Sequence, residues 1–107
     1  MINWKRVREL EQDIGPDDIG EVVELFLEEV EGVMDPLRKG KGVQNMREDM
    51  HFLKGTALNL GFDALGALCS EAEKMAASGE TKTGAVSEII LAYDASKVEF
   101  MAGISPI

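Results

Sequence analysis

Apolar residues recur at three- and four-residue spacing along most of the chain, which is the repeat of an amphipathic helix. The clearest stretch has successive spacings of 3, 4, 3, 4 and 3, over Val43, Met46, Met50, Leu53, Ala57 and Leu60. Gly61 follows directly, and glycine commonly ends a helix. The pattern therefore predicts a long helix that buries this seam and ends at Gly61.

Similar patterns predict four further helices, bounded by residues that favour helix starts and ends. Their expected bounds are Asn3 to Gly15, Pro16 to Gly40, just after Gly61 to Gly79, and about Lys82 to Gly103, with 104–107 as a loose tail. The expected inward residues of the last three are Ile19, Val22, Phe26, Val30, Val33 and Leu37, then Leu65, Leu68, Ala72 and Met75, then Val86, Ile89, Tyr93, Ser96 and Phe100. Short connections make neighbours antiparallel, so we expect an all-α fold: an antiparallel up-down four-helix bundle with a short additional N-terminal helix. Residues 1–107 should form a single domain, since nothing resembles a linker.

Composition narrows the class of protein. A net charge of -9 argues against a nucleic-acid partner. No apolar run is long enough to span a membrane, and the N-terminus lacks a signal peptide's apolar stretch, so we expect a cytoplasmic protein. The single cysteine, Cys69, flanks a seam position and should be a buried small hydrophobe. One bundle accounts for one seam per helix, which makes a monomer the default expectation.

Basic residues concentrate in one part of this acidic chain. Five lie between Arg38 and Lys54 against two acidic residues, whereas Glu9 to Asp35 contains eleven acidic residues and no basic one. His51, the only histidine, lies near the end of the basic stretch. The stretch could steer an acidic partner toward His51, or it could be an ordinary solvated helix face.

His51 should lie on the flank of its helix, because it follows the seam residue Met50 by about 100° of rotation. Its neighbours at helical spacing are Arg47, Glu48, Lys54, Gly55 and Leu58. A glycine in mid-helix costs about 1 kcal/mol relative to alanine, so Gly55 suggests a need for packing or access. A neutral imidazole can attack phosphorus, and Lys54 can place its ammonium near a phosphoryl group.

The segment from His51 to Phe62, HFLKGTALNLGF, resembles the signature of the histidine-containing phosphotransfer (HPt) domains of bacterial multistep phosphorelays. In that family, His-x-x-Lys-Gly, a small residue and a later Leu-Gly mark the phosphorylated helix. The resemblance extends to the acidic, apolar run from Glu21 to Met34 and to the helix that pairs with the histidine helix. It implies that His51 is phosphorylated, that Lys54 faces the phosphate and that Gly55 gives a partner access.

The resemblance also bears on Glu73. Several family members have a glutamine there on the pairing helix, and it hydrogen-bonds the imidazole. A carboxylate could hold the ring tautomer and raise the basicity of the attacking nitrogen, or it could repel an incoming phosphoryl group. The sign of its effect stays open at this stage.

The partners implied by the resemblance are response-regulator receiver domains and a hybrid sensor histidine kinase. Arg47, Phe52 and Leu58 are the candidate contact residues around His51. The chain has no glycine-rich phosphate loop or nucleotide-binding strand, so we expect a phosphocarrier without kinase activity. We expect it to need no cofactor of its own and to rely on Mg²⁺ in the receiver.

Two other functions stay open. A helical adaptor could bind and sequester a receiver or kinase domain without carrying phosphate. A metal- or cofactor-binding bundle would need ligands on inward faces, but the inward positions are apolar. One histidine and one cysteine on different helices also lack the spacing of a metal site, and Glu24, Glu28 and Glu31 more often form a solvated face.

Overall fold

Five helices account for most of the structure, a computed structural model that describes residues 2–40, 45–79 and 85–104. They are α1 (Trp4–Ile14), α2 (Ile19–Arg38), α3 (Met46–Leu60), α4 (Asp63–Ala77) and α5 (Ala85–Gly103). Both α3 and α5 contact α2 and α4, so α3 and α5 occupy diagonal positions of a four-helix bundle. The short α1 contacts α2 and α3. The predicted all-α bundle with a short additional N-terminal helix is confirmed.

The turn between α3 and α4 depends on Gly61. This glycine has a φ of 82°, and the Phe62 N–H donates to the Ala57 carbonyl over 2.7 Å, as in a Schellman motif. A Cβ on Gly61 would lie 2.7 Å from the Asn3 carbonyl oxygen. Both the positive φ and the close approach of the chain before α1 therefore require glycine. The resulting tight turn sets α3 and α4 side by side.

Residues at the start of α1 contact the turn after α3 and the C-terminal helix α5. The Asn3 N–H donates to the Gly61 carbonyl over 2.7 Å, and the Asn3 side chain caps α1 by accepting from the Arg6 N–H. The Trp4 ring stacks on Phe100 of α5, with centroids 6.4 Å apart. These contacts fix α1 beside the C-terminal end of α3.

The prediction for the buried face of α2 is confirmed at Ile19, Val30 and Leu37 and wrong at three other positions. The core residues of α2 are Ile19, Val23, Leu27, Val30, Met34 and Leu37, whereas Val22, Phe26 and Val33 are only half-buried at the edge of that face. At three places the helix has two adjacent apolar residues, about 100° apart, so either member of each pair can complete the stripe. Packing against neighbours on both sides selects one member of each pair and leaves the other at the rim.

The other differences concern boundaries and single positions. Residues 16–18 form a turn, so α2 begins at Ile19 and not at Pro16. In α4, Leu68 and Met75 are half-buried, while Cys69 is fully buried as expected, and burial raises its thiol pKa to about 12. Ile104 is buried and is not part of a loose tail. The predictions for Val43 and Lys82 lie outside the described residues.

Two clusters of polar side chains join α2 to α5. Arg38 donates two hydrogen bonds to the Asp94 carboxylate, at 2.9 and 2.6 Å, and this pairing lowers the pKa of Asp94. Glu31 accepts hydrogen bonds from the Tyr93 hydroxyl at 2.9 Å and the Lys97 ammonium at 3.0 Å. The Arg38–Asp94 and Glu31–Lys97 pairs run in opposite order along α2 and α5, which is the order expected of antiparallel neighbours. No helix among the described residues is long and apolar enough to cross a membrane.

Candidate functional site

His51 lies on the exposed flank of α3, as the sequence predicts. Its side chain is 70% exposed, while Met50 and Leu53 on either side are fully buried. The buried neighbours fix the helix, and the ring extends from it into solvent. The imidazole is therefore accessible to another protein without any rearrangement of the bundle.

Glu73 of α4 contacts the side chains of both His51 and Lys54. Its Oε2 lies 2.8 Å from the His51 Nδ1, and its Oε1 accepts a hydrogen bond from the Lys54 Nζ at 2.9 Å. Glu73 is one-fifth exposed, and the histidine is much more so. The structure thus brings His51, Lys54 and Glu73 together, across the interface between α3 and α4.

The contact with Glu73 selects the tautomer of the ring. Hydrogen bonds from Lys54 and His51 lower the pKa of Glu73, so it is an ionised carboxylate at neutral pH. An ionised carboxylate can only accept, so the hydrogen in this bond belongs to Nδ1. In the neutral ring, Nε2 then carries the free lone pair. The free lone pair is therefore on the side of the ring away from Glu73.

Lys54 does not point freely into solvent. Its side chain is 30% exposed, and its ammonium is held by Glu73. An ammonium has three donors, so the bond to Glu73 leaves capacity for a second acceptor. Lys54 therefore lies one helical turn from His51 with its charge partly neutralised and its position fixed.

Gly55 has open space where its side chain would be. A Cβ at this position would meet no atom of the chain within 4 Å, other than nearby helix backbone. Close packing within the bundle therefore does not explain this mid-helix glycine. It leaves a low area of surface one turn from the imidazole, where a partner's backbone could approach.

The three predicted contact residues are all on the surface of α3. Arg47 is exposed one turn before His51, and Leu58 is 49% exposed at nearly the same angle around the helix. Phe52 is 38% exposed but lies about 100° further round, away from the α4 side. His51 is therefore flanked by a cation along the helix axis and by apolar side chains on two sides.

Sequence reasoning missed a groove beside this surface. Residues of α1, α3 and α4 line the groove, among them Lys5, Arg6, Lys54, Leu58, Gly66 and Ala67. A Cβ on Gly66 would lie 2.9 Å from the Leu58 Cδ2, so this glycine makes room for the leucine side chain. A glycine within α4 was the available signal, because it costs helix stability as Gly55 does.

The basic stretch does not form one patch at His51. Arg38 is engaged by Asp94 between α2 and α5. Lys41 lies outside the described residues. The cations nearest the histidine are Arg47 and Lys54 of α3, with Lys5 across the groove. Arg6 also lines the groove but is paired with Glu9 at 3.7 Å, and Asp63 lies in the same lining.

The fold and this flank define a class of protein: a helical bundle with a solvent-exposed histidine that a carboxylate of the neighbouring helix contacts. The model of the Hpt domain family matches residues 21–97, and the chain belongs to this family. No curated protein and no solved structure matches the chain. Hpt domains are phosphocarrier modules of two-component signalling and lack kinase activity, so histidine phosphotransfer is the class of function.

Proposed function

We propose that this chain is a phosphorelay intermediate that carries a phosphoryl group on His51 between the aspartates of two receiver domains. One observation carries the proposal: Glu73 contacts Nδ1 of a mostly exposed ring, an arrangement that in the neutral imidazole leaves the lone pair on Nε2 free. Because family membership gives histidine phosphotransfer as the class and His51 is the chain's only histidine, the phosphoryl group has one histidine to occupy.

In the proposed step, the Nε2 lone pair attacks the phosphorus of an aspartyl phosphate. The N–P bond forms as the P–O bond to the aspartate breaks, and the electron pair leaves with the aspartate carboxylate. The ring keeps its hydrogen on Nδ1, and the positive charge that develops on it is stabilised by Glu73. The second transfer reverses this step on another receiver.

Lys54 would neutralise the phosphoryl group on this side of the interface. Glu73 already positions the ammonium of Lys54. A phosphoryl group on Nε2 would be a second acceptor for the same ammonium. The remaining charge would be met by Mg²⁺ in the receiver's acidic pocket, since phosphoryl transfer depends on positioning and charge neutralisation. The chain would need no cofactor of its own.

The receiver would dock over the area around His51. Gly55 gives its backbone room, Phe52 and Leu58 offer apolar contact, and Arg47 with Lys5 would attract an acidic pocket. Such an interface is modest in size and suits a transient complex. A hybrid sensor kinase would supply the first receiver. On this proposal the chain acts in the cytoplasm.

The test is transfer from an isolated receiver domain that has been phosphorylated on its aspartate. Panels of receivers are mixed with the parent chain and with His51→Gln, and label on the chain is followed over time. We expect at least one receiver to label the parent and none to label the variant. A receiver that binds both chains tightly and labels neither would overturn the relay and favour a sequestering adaptor.

A further inference from the structure

The outer face of α5 carries a second apolar stripe. Leu91, Ala95, Val98 and Ala102 follow at spacings of 4, 3 and 4, and all four are exposed. Leu91 is 69% exposed and Val98 72%, although the opposite face of the same helix is buried through Ile89, Tyr93 and Phe100. The expectation of a monomer assumed one seam per helix, and α5 does not meet that assumption.

The spacing and the sizes of these side chains make the stripe complementary to itself. The spacing is that of a coiled-coil seam, and large residues alternate with alanines. If two copies pack α5 on α5 in antiparallel orientation, Leu91 of each faces Ala102 of the other, and Ala95 of each faces Val98. Every large side chain then meets a small one, and twofold symmetry satisfies both halves at once.

On the side of the stripe toward α2, the bordering charges are paired with residues of α2. Asp94 is neutralised by Arg38, and Lys97 is paired with Glu31. The exposed Met101 extends the apolar area on this side. The opposite border carries the exposed Glu88 and Glu99, which would lie at the rim of a pair of α5 helices. The seam between the two borders is apolar, and a second copy of α5 offers the same apolar seam.

We propose that α5 is a self-association surface, through which two copies of this chain form a reversible antiparallel dimer. The stripe is about 17 Å long, from Leu91 to Ala102 at 1.5 Å per residue, so the dimer is weak. Because α5 is diagonal to α3, the two His51 faces point away from the shared interface. The proposal does not depend on the phosphotransfer role, and association leaves both histidines accessible.

Sedimentation equilibrium of the 107-residue chain tests the proposal. Concentrations run from about 10 µM to about 1 mM, in about 0.3 M salt to screen the net charge of -9. We expect the average mass to rise from 11.7 kDa toward twice that value. Leu91→Glu and Val98→Glu should each stay at the monomer mass, and circular dichroism checks that they fold.

Leu25→Glu is the matched control. Leu25 is 54% exposed on α2, outside the stripe, and its replacement adds the same charge. We expect it to associate as the parent does. A parent that stays monomeric at the highest concentration, or seam variants that associate as strongly as the control, would overturn the proposal.

The orientation is tested by a spin label on a cysteine introduced at the exposed Ser87, since the native Cys69 is fully buried. In the antiparallel pair the two labels are offset by 19 residues, or about 28 Å along the axis. In a parallel pair they would lie about 10 Å apart across the interface. The short distance would contradict the antiparallel arrangement.

Discussion

Two glutamates of this bundle make the same kind of contact with different consequences. Glu73 accepts hydrogen bonds from His51 and Lys54 between α3 and α4, and Glu31 accepts them from Tyr93 and Lys97 between α2 and α5. Each carboxylate joins two helices through one lysine and one ring. The clusters differ in access, because His51 is 70% exposed whereas Tyr93 is completely buried.

This difference separates a reactive site from a structural contact. Burial and the bond to Glu31 raise the pKa of Tyr93, so its hydroxyl keeps its hydrogen and only holds the helices together. The imidazole has the same support on one side and solvent on the other. A carboxylate that bridges two helices therefore indicates function only when one of its donors remains accessible.

The largest expected effect within the Glu73 cluster comes from removing the carboxylate. Glu73→Ala removes the acceptor for Nδ1, so the ring loses its orientation and transfer should slow roughly 10-fold. Glu73→Gln keeps an acceptor oxygen and should stay within about 3-fold of the parent. Single-turnover transfer from a phosphorylated receiver measures both. Unchanged rates for Glu73→Ala in both directions would remove Glu73 from the mechanism.

Obstructing the approach to His51 should have an effect of similar size. Gly55→Leu should slow transfer roughly 10-fold by holding the receiver away, since small misplacements cost much of the rate. Gly32→Leu is the control, because Gly32 also lies within a helix with no atom near its Cβ position. Titration calorimetry with a receiver, alongside the rates, separates docking from chemistry. Equal docking and rates for Gly55→Leu and the parent would refute the access argument.

The Glu31 cluster should respond in stability and not in transfer. Tyr93→Phe removes one hydrogen bond to the partly exposed Glu31 and should lower the free energy of unfolding by about 1 kcal/mol. His51→Gln should change it by less than about 0.5 kcal/mol, because the ring is mostly in solvent. Urea denaturation measures both. A Tyr93→Phe protein of normal stability that has lost transfer would reverse the comparison.

The smallest expected effect is a pH dependence from Glu31. Burial acts to raise its pKa, but the hydrogen bonds from Lys97 and Tyr93 outweigh burial and lower it below 4.5. The folded state therefore favours the ionised form, and its contribution is lost as pH falls below that value. Glu31→Gln should make the stability curve flatter below about pH 5. An equally steep curve would show that other carboxylates carry the acid sensitivity.

Much of the fold could be predicted from local sequence, because each helix has a periodic apolar seam. Gly15 also marks the end of α1, and Gly61 marks the end of α3. The face of α2 could not, since either member of three adjacent apolar pairs fits the stripe and only packing chooses between them. In the site, His51 and Gly55 were accessible to sequence reasoning through their spacing along one helix.

The contacts of Lys54 were not predictable in the same way. Its bond to Glu73 depends on how two helices are set against each other, which spacing along one helix does not encode. The groove beside Leu58 has the same origin, because Gly66 and the residues of α1 come from separate segments. The second stripe of α5 was visible in the sequence, but its exposure became clear only in the bundle.

The most direct test of His51 as the acceptor is intact mass after incubation with phosphoramidate, a small phosphoryl donor. The parent and Tyr93→Phe should each gain one phosphate that is labile in acid and stable in base, and His51→Gln should gain none. Phosphorylation of His51→Gln to the same extent as the parent would contradict the assignment of His51.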